Sequence, residues 1–553
     1  MTKGLSPATD WSLAFLSFLV QQGIRHIVVS PGSRSQALAL AADAISRRKD
    51  TSVDLHVVID ERSAGFFGLG AAIESCQPTV LICTSGSAGA HYLPALLEAK
   101  HSGVPLIAVT ADRPEELLGV GANQTTNQVG MFGPATHAVF EVATPEQTPS
   151  LTADVRQLAG EVFSAALSGA SHGRSGPVHV NVGFREPLSA PFTEGEVDQA
   201  LSDSAHPVDS PGIHSSSSLR TMTLSPEPGT VVVAGHRAGP VAEQLSRELG
   251  AVLFAEVHSG ARFGPLLAIP AENLLQSPPD GVRVSRVICV GRPTLSRSVS
   301  RLLSSPDIEQ IVWQRAEPEA SNLSKSARIV DHISVSRPAT ESEAKQWVSP
   351  WIGESRMLLA DSSAHFDPAP PDVDALSSGE GTERGEFASQ EMEVMRKTLT
   401  RRDIAREVWE ATWPDDQLVL GSSRMIREFE QCVPGKKISV WANRGLSGID
   451  GTLATARGIV GARQSQMKSG TTRVVLGDLA LLHDSGSLLA GSVEFQDSRL
   501  HMVVARDGGG SIFDSLEVSQ TTSKESFDRV VFTPSSADFA SLARAYGWHY
   551  RQA

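Results

Sequence analysis

The chain has 553 residues, 41% of them hydrophobic and 20% charged, with a formal net charge of -14. At roughly 100–200 residues per domain this length predicts three or four domains, and no apolar run reaches the ~18 residues that a membrane helix needs. The acidic balance argues against general nucleic-acid binding, while scattered Cys76, Cys83, Cys289 and Cys432, with no Cys-x-x-Cys pair, argue against a zinc ribbon or disulfide scaffold and fit a reducing compartment.

Met1 to Asp10 holds one Lys and no apolar segment before Trp11, so no secretory leader is expected and the predicted location is cytoplasmic. Ser12–Gln22 is an apolar stretch of helical length closed by Gly23. The strands expected next are His26–Ser30, Val53–Ile59, Thr79–Thr84, Pro105–Thr110 and Pro177–Val182. Stretches of helical length, Glu61–Ser75 and Ala88–His101, lie between them. Strands alternating with such helices predict right-handed βαβ units and a parallel sheet. Residues 190–228 are rich in Ser, Pro, Asp and Glu and read as a connector. A second α/β region has strands at Thr230–Ala234, Val252–Glu256, Arg286–Val290 and Gln310–Trp313. The stretch 361–392 is poor in apolar residues and is expected to be a flexible linker. Beyond it the expected strands are Leu418–Leu420, Ile438–Trp441, Arg473–Leu476, Leu500–Ala505 and Val530–Phe532. The predicted fold class is α/β, with parallel sheets flanked by helices in three domains: 1–195, 196–360 and 393–553.

Open α/β sheets bind ligands in the loops at the carboxyl ends of their strands. In the first region those loops carry Pro31-Gly32-Ser33-Arg34-Ser35, Asp60-Glu61-Arg62, Ser85-Gly86-Ser87-Ala88-Gly89 and Ala111-Asp112-Arg113-Pro114. Each alone reads as a turn or helix cap; together they predict a charged site at one sheet edge. Glu61 follows an apolar strand and opens an apolar helix containing Ala64, Phe66, Phe67 and Leu69. Its plain role is pairing with the helix dipole. Its chemical role would be a carboxyl in an apolar cleft, able to hold or share a proton.

The last region carries the sharpest pattern. Gly477-Asp478-Leu479-Ala480 ends one strand and Arg506-Asp507-Gly508-Gly509-Gly510 ends the next, with Asp478 and Asp507 29 residues apart. Two carboxylates at adjacent strand ends, beside glycines, form an oxygen-ligand site for a hard cation that joins protein to phosphate. The loop Asn443-Arg444-Gly445-Leu446-Ser447-Gly448-Ile449-Asp450-Gly451 suits close approach of a ligand, or is structural. His483-Asp484 lacks a Gly-x-Ser-x-Gly elbow, so His483 reads as packing or capping rather than part of a triad.

These residues resemble the thiamine-diphosphate-dependent enzymes, whose motif runs from Gly-Asp through about thirty residues to Asn or Asp. The segments PGSRS (31–35), DERSAGF (60–66), TSGSAGA (84–90), ADRPEELLGVGANQT (111–125), NRGLSGIDG (443–451) and GDLALLHD (477–484) are similar to the branch of that family that joins 2-oxoglutarate to isochorismate in menaquinone biosynthesis. The similarity spans most of the chain outside 361–390 and is weak in the middle domain. It implies a pyrimidine-binding domain (1–195), a central domain (196–360) and a diphosphate-binding domain (393–553). It also implies a homodimer or homotetramer that holds thiamine diphosphate between subunits.

Carried over, Asp478 and Asp507 are side-chain ligands of Mg²⁺ (or Mn²⁺) and Gly509 supplies a carbonyl. Glu61 is the catalytic residue and pairs with the aminopyrimidine. Ile449 supports the bent cofactor, and Ser423, Gly477, Leu479 and Phe513 lie beside it. Ser33, Arg34, Arg113, Asn123, Gln124, Arg297, Arg427, Arg444 and Phe513 match positions lining the substrate pocket, where several arginines suit carboxylate substrates. Arg506, Gly508, Ala480 and Ser422 depart from the family pattern. The rival readings are another thiamine-diphosphate 2-oxoacid decarboxylase or carboligase, and a non-catalytic homologue.

Overall fold

Runs rich in Val, Ile and Leu form the strands of three large parallel sheets in a computed structural model, which describes residues 6–168, 174–204, 220–315, 319–364, 381–396, 398–489 and 499–553. The first domain holds β1 (His26–Val29), β2 (Asp54–Val57), β3 (Thr79–Cys83), β4 (Leu106–Asp112), β5 (Val139–Val142) and β6 (Val178–Gly183). Their order is β2-β1-β3-β4-β6-β5, all parallel. Strands buried on both faces read as continuous apolar runs, and β1, β3, β4 and β6 are buried at every residue. β5 escapes sequence detection because it is short and half exposed at the sheet edge.

The central domain holds β7 (Thr221–Leu224), β8 (Thr230–Ala234), β9 (Val252–Ala255), β10 (Arg286–Val290), β11 (Glu309–Trp313), β12 (Arg328–Val330) and β13 (His332–Val335). Five of them form the sheet β12-β11-β10-β8-β9, and β13 pairs with β7. The third domain orders β14 (Gln417–Leu420), β15 (Ser439–Trp441), β16 (Thr472–Gly477) and β17 (Leu500–Ala505) as β15-β14-β16-β17. In it, strand order reverses at β14 and β16, and a ligand crevice is expected outside their carboxyl ends. Gly477 pairs with Ala505 in register, which brings Asp478 and Asp507 to one edge.

Three expectations differ from the structure. Val530–Phe532 belongs to a helical turn, Asp528–Phe532, not a strand. Three apolar residues cannot separate strand from helix by periodicity, and here Gly510 donates its N–H to the Phe532 carbonyl at 2.5 Å, holding the turn beneath the glycine loop. The stretch 381–392, expected to be linker, lies in the exposed helix Gly381–Arg396, rich in Glu, Met and Arg, which are good helix formers; 365–380 lies outside the described residues. The supposed connector contains helix Glu194–Ser204 and β7, while 205–219 also lies outside the described residues.

Helix Glu61–Ser75 docks on helix Thr452–Ser465 of the third domain. Glycines make this contact possible. A Cβ on Gly70 would lie 2.0 Å from the Thr455 carbonyl oxygen, and one on Gly458 would lie 1.9 Å from that of Phe67. Backbone therefore meets backbone. Buried Asp484 reinforces the joint: it accepts from the Leu453 N–H at 2.9 Å and from Ser487 Oγ at 2.6 Å, and Ser487 Oγ lies 2.9 Å from Ser63 Oγ. Among the described residues no helix is long and apolar enough to cross a membrane.

Candidate active site

At the carboxyl edge of the first sheet, Arg34 is buried and donates to the Phe184 carbonyl at 2.9 Å. Burial first, then the neighbouring Arg113 cation, lowers its pKa, with Glu186 and Asp112 opposing. Arg113 donates to Ser85 Oγ at 3.2 Å. Ser85 in turn donates to the Gln124 carbonyl, and Gln124 Nε2 returns a bond to the Ser85 carbonyl, both at 3.0 Å. Gln124 is in the left-handed region (φ 58°). Ser33, Asn123 and Gln124 are exposed. Among the described residues neither arginine has an ion-paired carboxylate of its own, and two such cations suit an anionic ligand.

Glu61 opens its helix, half-buried. Asp60 caps that helix by accepting from the Arg62 N–H at 3.0 Å and from Ser63 Oγ at 2.9 Å, which leaves Glu61 free of the capping task. Burial, followed by the Glu61 charge, pushes the Cys83 thiol up, so Glu61 faces a largely apolar floor. Arg62 reaches across to the His483 carbonyl at 2.8 Å. The His483 backbone thus takes part in the domain joint, while its side chain is exposed.

In the third domain Asp478 is only 2% exposed. It accepts from the Leu479 N–H at 2.8 Å and the Gly508 N–H at 2.7 Å. Among the described residues no Lys, Arg or His pairs with it, and a buried carboxylate lacking a cation is costly. Asp507 is held differently. Arg401 grips it in bidentate fashion, Nε to Oδ2 at 3.0 Å and Nη2 to Oδ1 at 2.6 Å, and Ser511 Oγ donates to it as well. Gly508 (φ +74°) has open space around its α-carbon, while a Cβ on Gly509 would strike the Phe532 ring at 2.4 Å. Gly477 is open apart from Ser423 at 3.9 Å. Ser423 caps helix Arg424–Cys432 by accepting from the Met425 N–H at 3.3 Å.

Two carboxylates, a glycine carbonyl and an open glycine cradle form a hard oxygen donor set, and they fit Mg²⁺ joined to a diphosphate. Arg506 stands clear of it. Its exposed guanidinium lies 5.7 Å from the Phe539 ring centroid. Ala480 is packed in the apolar core of the domain, which explains its lack of a hydroxyl. Ser422 donates to the Asn443 carbonyl at 2.8 Å and accepts from Arg444 Nη1 at 3.3 Å, so it ties the Asn443–Gly451 loop down. Ile449 and Phe513 are 40% and 37% exposed, unusual for apolar side chains of this size and suited to an apolar face on a ligand.

A second arginine group spans the central and third domains. Arg444 is buried and donates to Thr294 Oγ1 at 3.0 Å and to the Thr294 carbonyl at 3.1 Å. Burial chiefly lowers its pKa; Glu256 opposes this and the cation of Arg427 adds to it. Arg427 is exposed, and local enclosure first, then the like charge of Arg297, lowers its own pKa. Arg297 is 3.7 Å from Glu517. Beneath them Glu256 accepts from the N–H groups of Thr294 and Leu295, both at 2.6 Å, and burial pushes its pKa to about 8.

The structure therefore gathers the expected residues into two groups. Ser33, Arg34, Arg113, Asn123, Gln124 and Glu61 belong to the first domain. Arg297, Arg427, Arg444, Ser423, Ile449, Gly477, Asp478, Leu479, Asp507, Gly509 and Phe513 belong to the other two. No hydrogen bond or ion pair among the described residues joins the groups directly. Sequence reasoning missed Arg401 and Glu256. Arg401 lies 106 positions from Asp507 with no local signal, and Glu256 reads as the end of a strand.

Residues 10–131 match the thiamine pyrophosphate enzyme, N-terminal TPP binding domain, family. A protein of Leifsonia xyli subsp. xyli (strain CTCB07), named 2-succinyl-5-enolpyruvyl-6-hydroxy-3-cyclohexene-1-carboxylate synthase, is 45% identical over 99% of this chain and 92% of its own length. A protein of the same name from Clavibacter michiganensis subsp. michiganensis (strain NCPPB 382) is 44% identical over 99% of this chain and 92% of its own. The crystal structure of benzoylformate decarboxylase from Polynucleobacter necessarius superposes with a TM-score of 0.60 at 13% identity, covering 97% of this chain and 92% of that one; it shares the fold. Near-complete coverage at such identity, together with the strand-end residues above, shows that the chain belongs to the 2-succinyl-5-enolpyruvyl-6-hydroxy-3-cyclohexene-1-carboxylate synthase family of thiamine-pyrophosphate enzymes.

Proposed function

We infer that the chain is a transferase of menaquinone biosynthesis, a thiamine-diphosphate-dependent carboligase. It decarboxylates 2-oxoglutarate and adds the resulting succinyl unit to isochorismate, giving 2-succinyl-5-enolpyruvyl-6-hydroxy-3-cyclohexene-1-carboxylate and CO₂. The observation that carries this reading is the 45% identity over 99% of the chain to a relative named for that product. Thiamine diphosphate, when bound, supplies the carbanion stabilisation that decarboxylation of a 2-oxoacid requires.

The protein's part is binding, orientation and proton handling. Asp478, Asp507 and the Gly509 carbonyl hold Mg²⁺ or Mn²⁺, supported by their placement at adjacent strand ends. Gly477, Leu479 and Ser423 flank the diphosphate, and Ile449 and Phe513 offer apolar contact. Glu61 holds the proton exchanged with the aminopyrimidine, supported by its apolar floor and by Asp60 taking over the capping role. Arg34 and Arg113 form one carboxylate receptor with Ser33, Asn123 and Gln124. Arg297, Arg427 and Arg444 form another. The same reading makes the enzyme a cytoplasmic homodimer or homotetramer in which two subunits complete each site, in keeping with the separation of the two residue groups. The test is turnover with 2-oxoglutarate, isochorismate, thiamine diphosphate and Mg²⁺. Product of the expected mass that depends on isochorismate supports the reading, and CO₂ release with no adduct overturns it.

A further inference from the structure

The amino edge of the first sheet, opposite the loops described above, holds a cluster with another chemistry. His26 opens β1 and pairs in register with Asp54, which opens β2. Side chains alternate along a strand, so Asp54 and His56 share a face, and His26 stands beside them. One ligand atom from each of His26, Asp54 and His56 lies within 4.8 Å of the others. His26 Nδ1 is 3.3 Å from His56 Nε2 and 3.7 Å from Asp54 Oδ2. A tetrahedral ion with bonds of about 2.0–2.1 Å sets its ligand atoms about 3.3–3.4 Å apart, which these separations approach before any ion is bound.

We propose that His26, Asp54 and His56 form a second metal site, distinct from the diphosphate site, that takes a divalent ion of the Zn²⁺ class with water as the fourth ligand. Two imidazoles and one carboxylate are a borderline-soft donor set that favours Zn²⁺ over Mg²⁺. His26 is buried, whereas the Asp54 side chain is 43% exposed, which gives the ion an entry path and leaves room for the water. Two cations, Arg25 and Arg457, lie near the cluster. Arg25 donates to the carbonyls of Val20 and Ile24, and Arg457 to those of Ser487 and Leu489. Ser465 of the third domain donates to Asp54 Oδ2 and supplies the outer-shell contact that orients a ligating carboxylate. His26 lies one strand length, roughly 10 Å, from the loop that follows β1, whereas His56 sits one residue before the end of β2.

The probe is Co²⁺, which absorbs strongly in the visible when four-coordinate, followed by Zn²⁺ in competition. Chelator-treated protein is first reloaded with thiamine diphosphate and excess Mg²⁺. The expected result is one equivalent of four-coordinate Co²⁺ displaced by Zn²⁺. Both His56→Gln and Asp54→Asn should weaken binding by about 10²-fold or more, beyond the loss of an outer-shell partner. Asp478→Ala should leave it unchanged. Asp54→Asn, at the exposed edge, keeps the test open if His56→Gln does not fold. Absence of a stoichiometric Co²⁺ signal in the wild type would show that the two imidazoles merely share a hydrogen and would overturn the proposal. So would unchanged affinity in Asp54→Asn, or loss of the signal in Asp478→Ala.

Discussion

The carboxyl edges of the first and third sheets are both lined with charge, but the charge is balanced in opposite ways. In the first domain two arginines, Arg34 and Arg113, repel each other across a buried setting, which suits the region to an anion. In the third, among the described residues, Asp478 is held by backbone N–H groups without an ion pair and Asp507 by Arg401, so the region suits a cation through one unpaired carboxylate and one that is partly neutralised. One architecture thus gives two complementary half-sites, and the difference lies in which side chains follow the strands.

The comparison breaks most completely at Asp478. Asp478→Ala should abolish Mn²⁺ binding measured by electron paramagnetic resonance. It should lower kcat/KM by at least ~10³-fold, since a metal supplies several kcal/mol of charge stabilisation. Retained metal affinity would remove the assignment. On the first domain's side, Glu61→Gln should bind thiamine diphosphate nearly normally yet slow hydrogen–deuterium exchange at cofactor C2 by ~10²–10⁴-fold. Exchange at the wild-type rate would place the proton on another residue.

Glu256 tests the support beneath Arg444. Its carboxyl titrates at about 8 in the folded chain, because of burial and then Glu430, against ~4.3 in an unfolded one. The folded state therefore holds the extra proton between those values. Its contribution to stability is full at the acid end and is lost as pH rises through about 8, amounting to a few kcal/mol. Glu256→Gln should flatten this decline in urea midpoints measured from pH 5 to 9, and an unchanged slope would contradict it.

Smaller effects sharpen the contrast. Arg113→Ala and Arg427→Ala should each lose at least ~10-fold in kcat/KM, in keeping with the ~1.5–3 kcal/mol of a bond to a charged group. If the two groups serve different substrates, each loss should fall mainly on one of 2-oxoglutarate and isochorismate; losses divided equally in both variants would merge the two receptors into one. Arg401→Gln releases Asp507 and should tighten Mn²⁺ binding by up to ~5-fold, the scale of a partly exposed ion pair. Weaker binding would show that Arg401 positions Asp507 instead of competing for it.

Much of this was legible because local chemistry is written in short runs. β17 spans Leu500–Ala505 just as its β-branched pattern predicts, and Gly477-Asp478 and Asp507-Gly508-Gly509-Gly510 lie at the strand ends expected of them. What stayed hidden depends on distant partners. Nothing near Arg401 announces Asp507, and nothing near Glu256 announces Thr294. His26 and Asp-x-His at 54–56 carried a signal, but it has meaning only once β1 and β2 are neighbours in register. Val530–Phe532 has strand composition, yet it coils beneath Gly509 and Gly510, where the Phe532 carbonyl accepts from the Gly510 N–H.

The contact of Gly70 with Thr455, and of Gly458 with Phe67, reaches beyond packing. With no side chain between them, the two helices behave as a hinge pin seated in its socket: neither can slide or tilt without driving main-chain atoms into each other. One helix begins at Glu61 and the other follows the loop bearing Ile449, so the positions of both residues are set by the same mechanical joint.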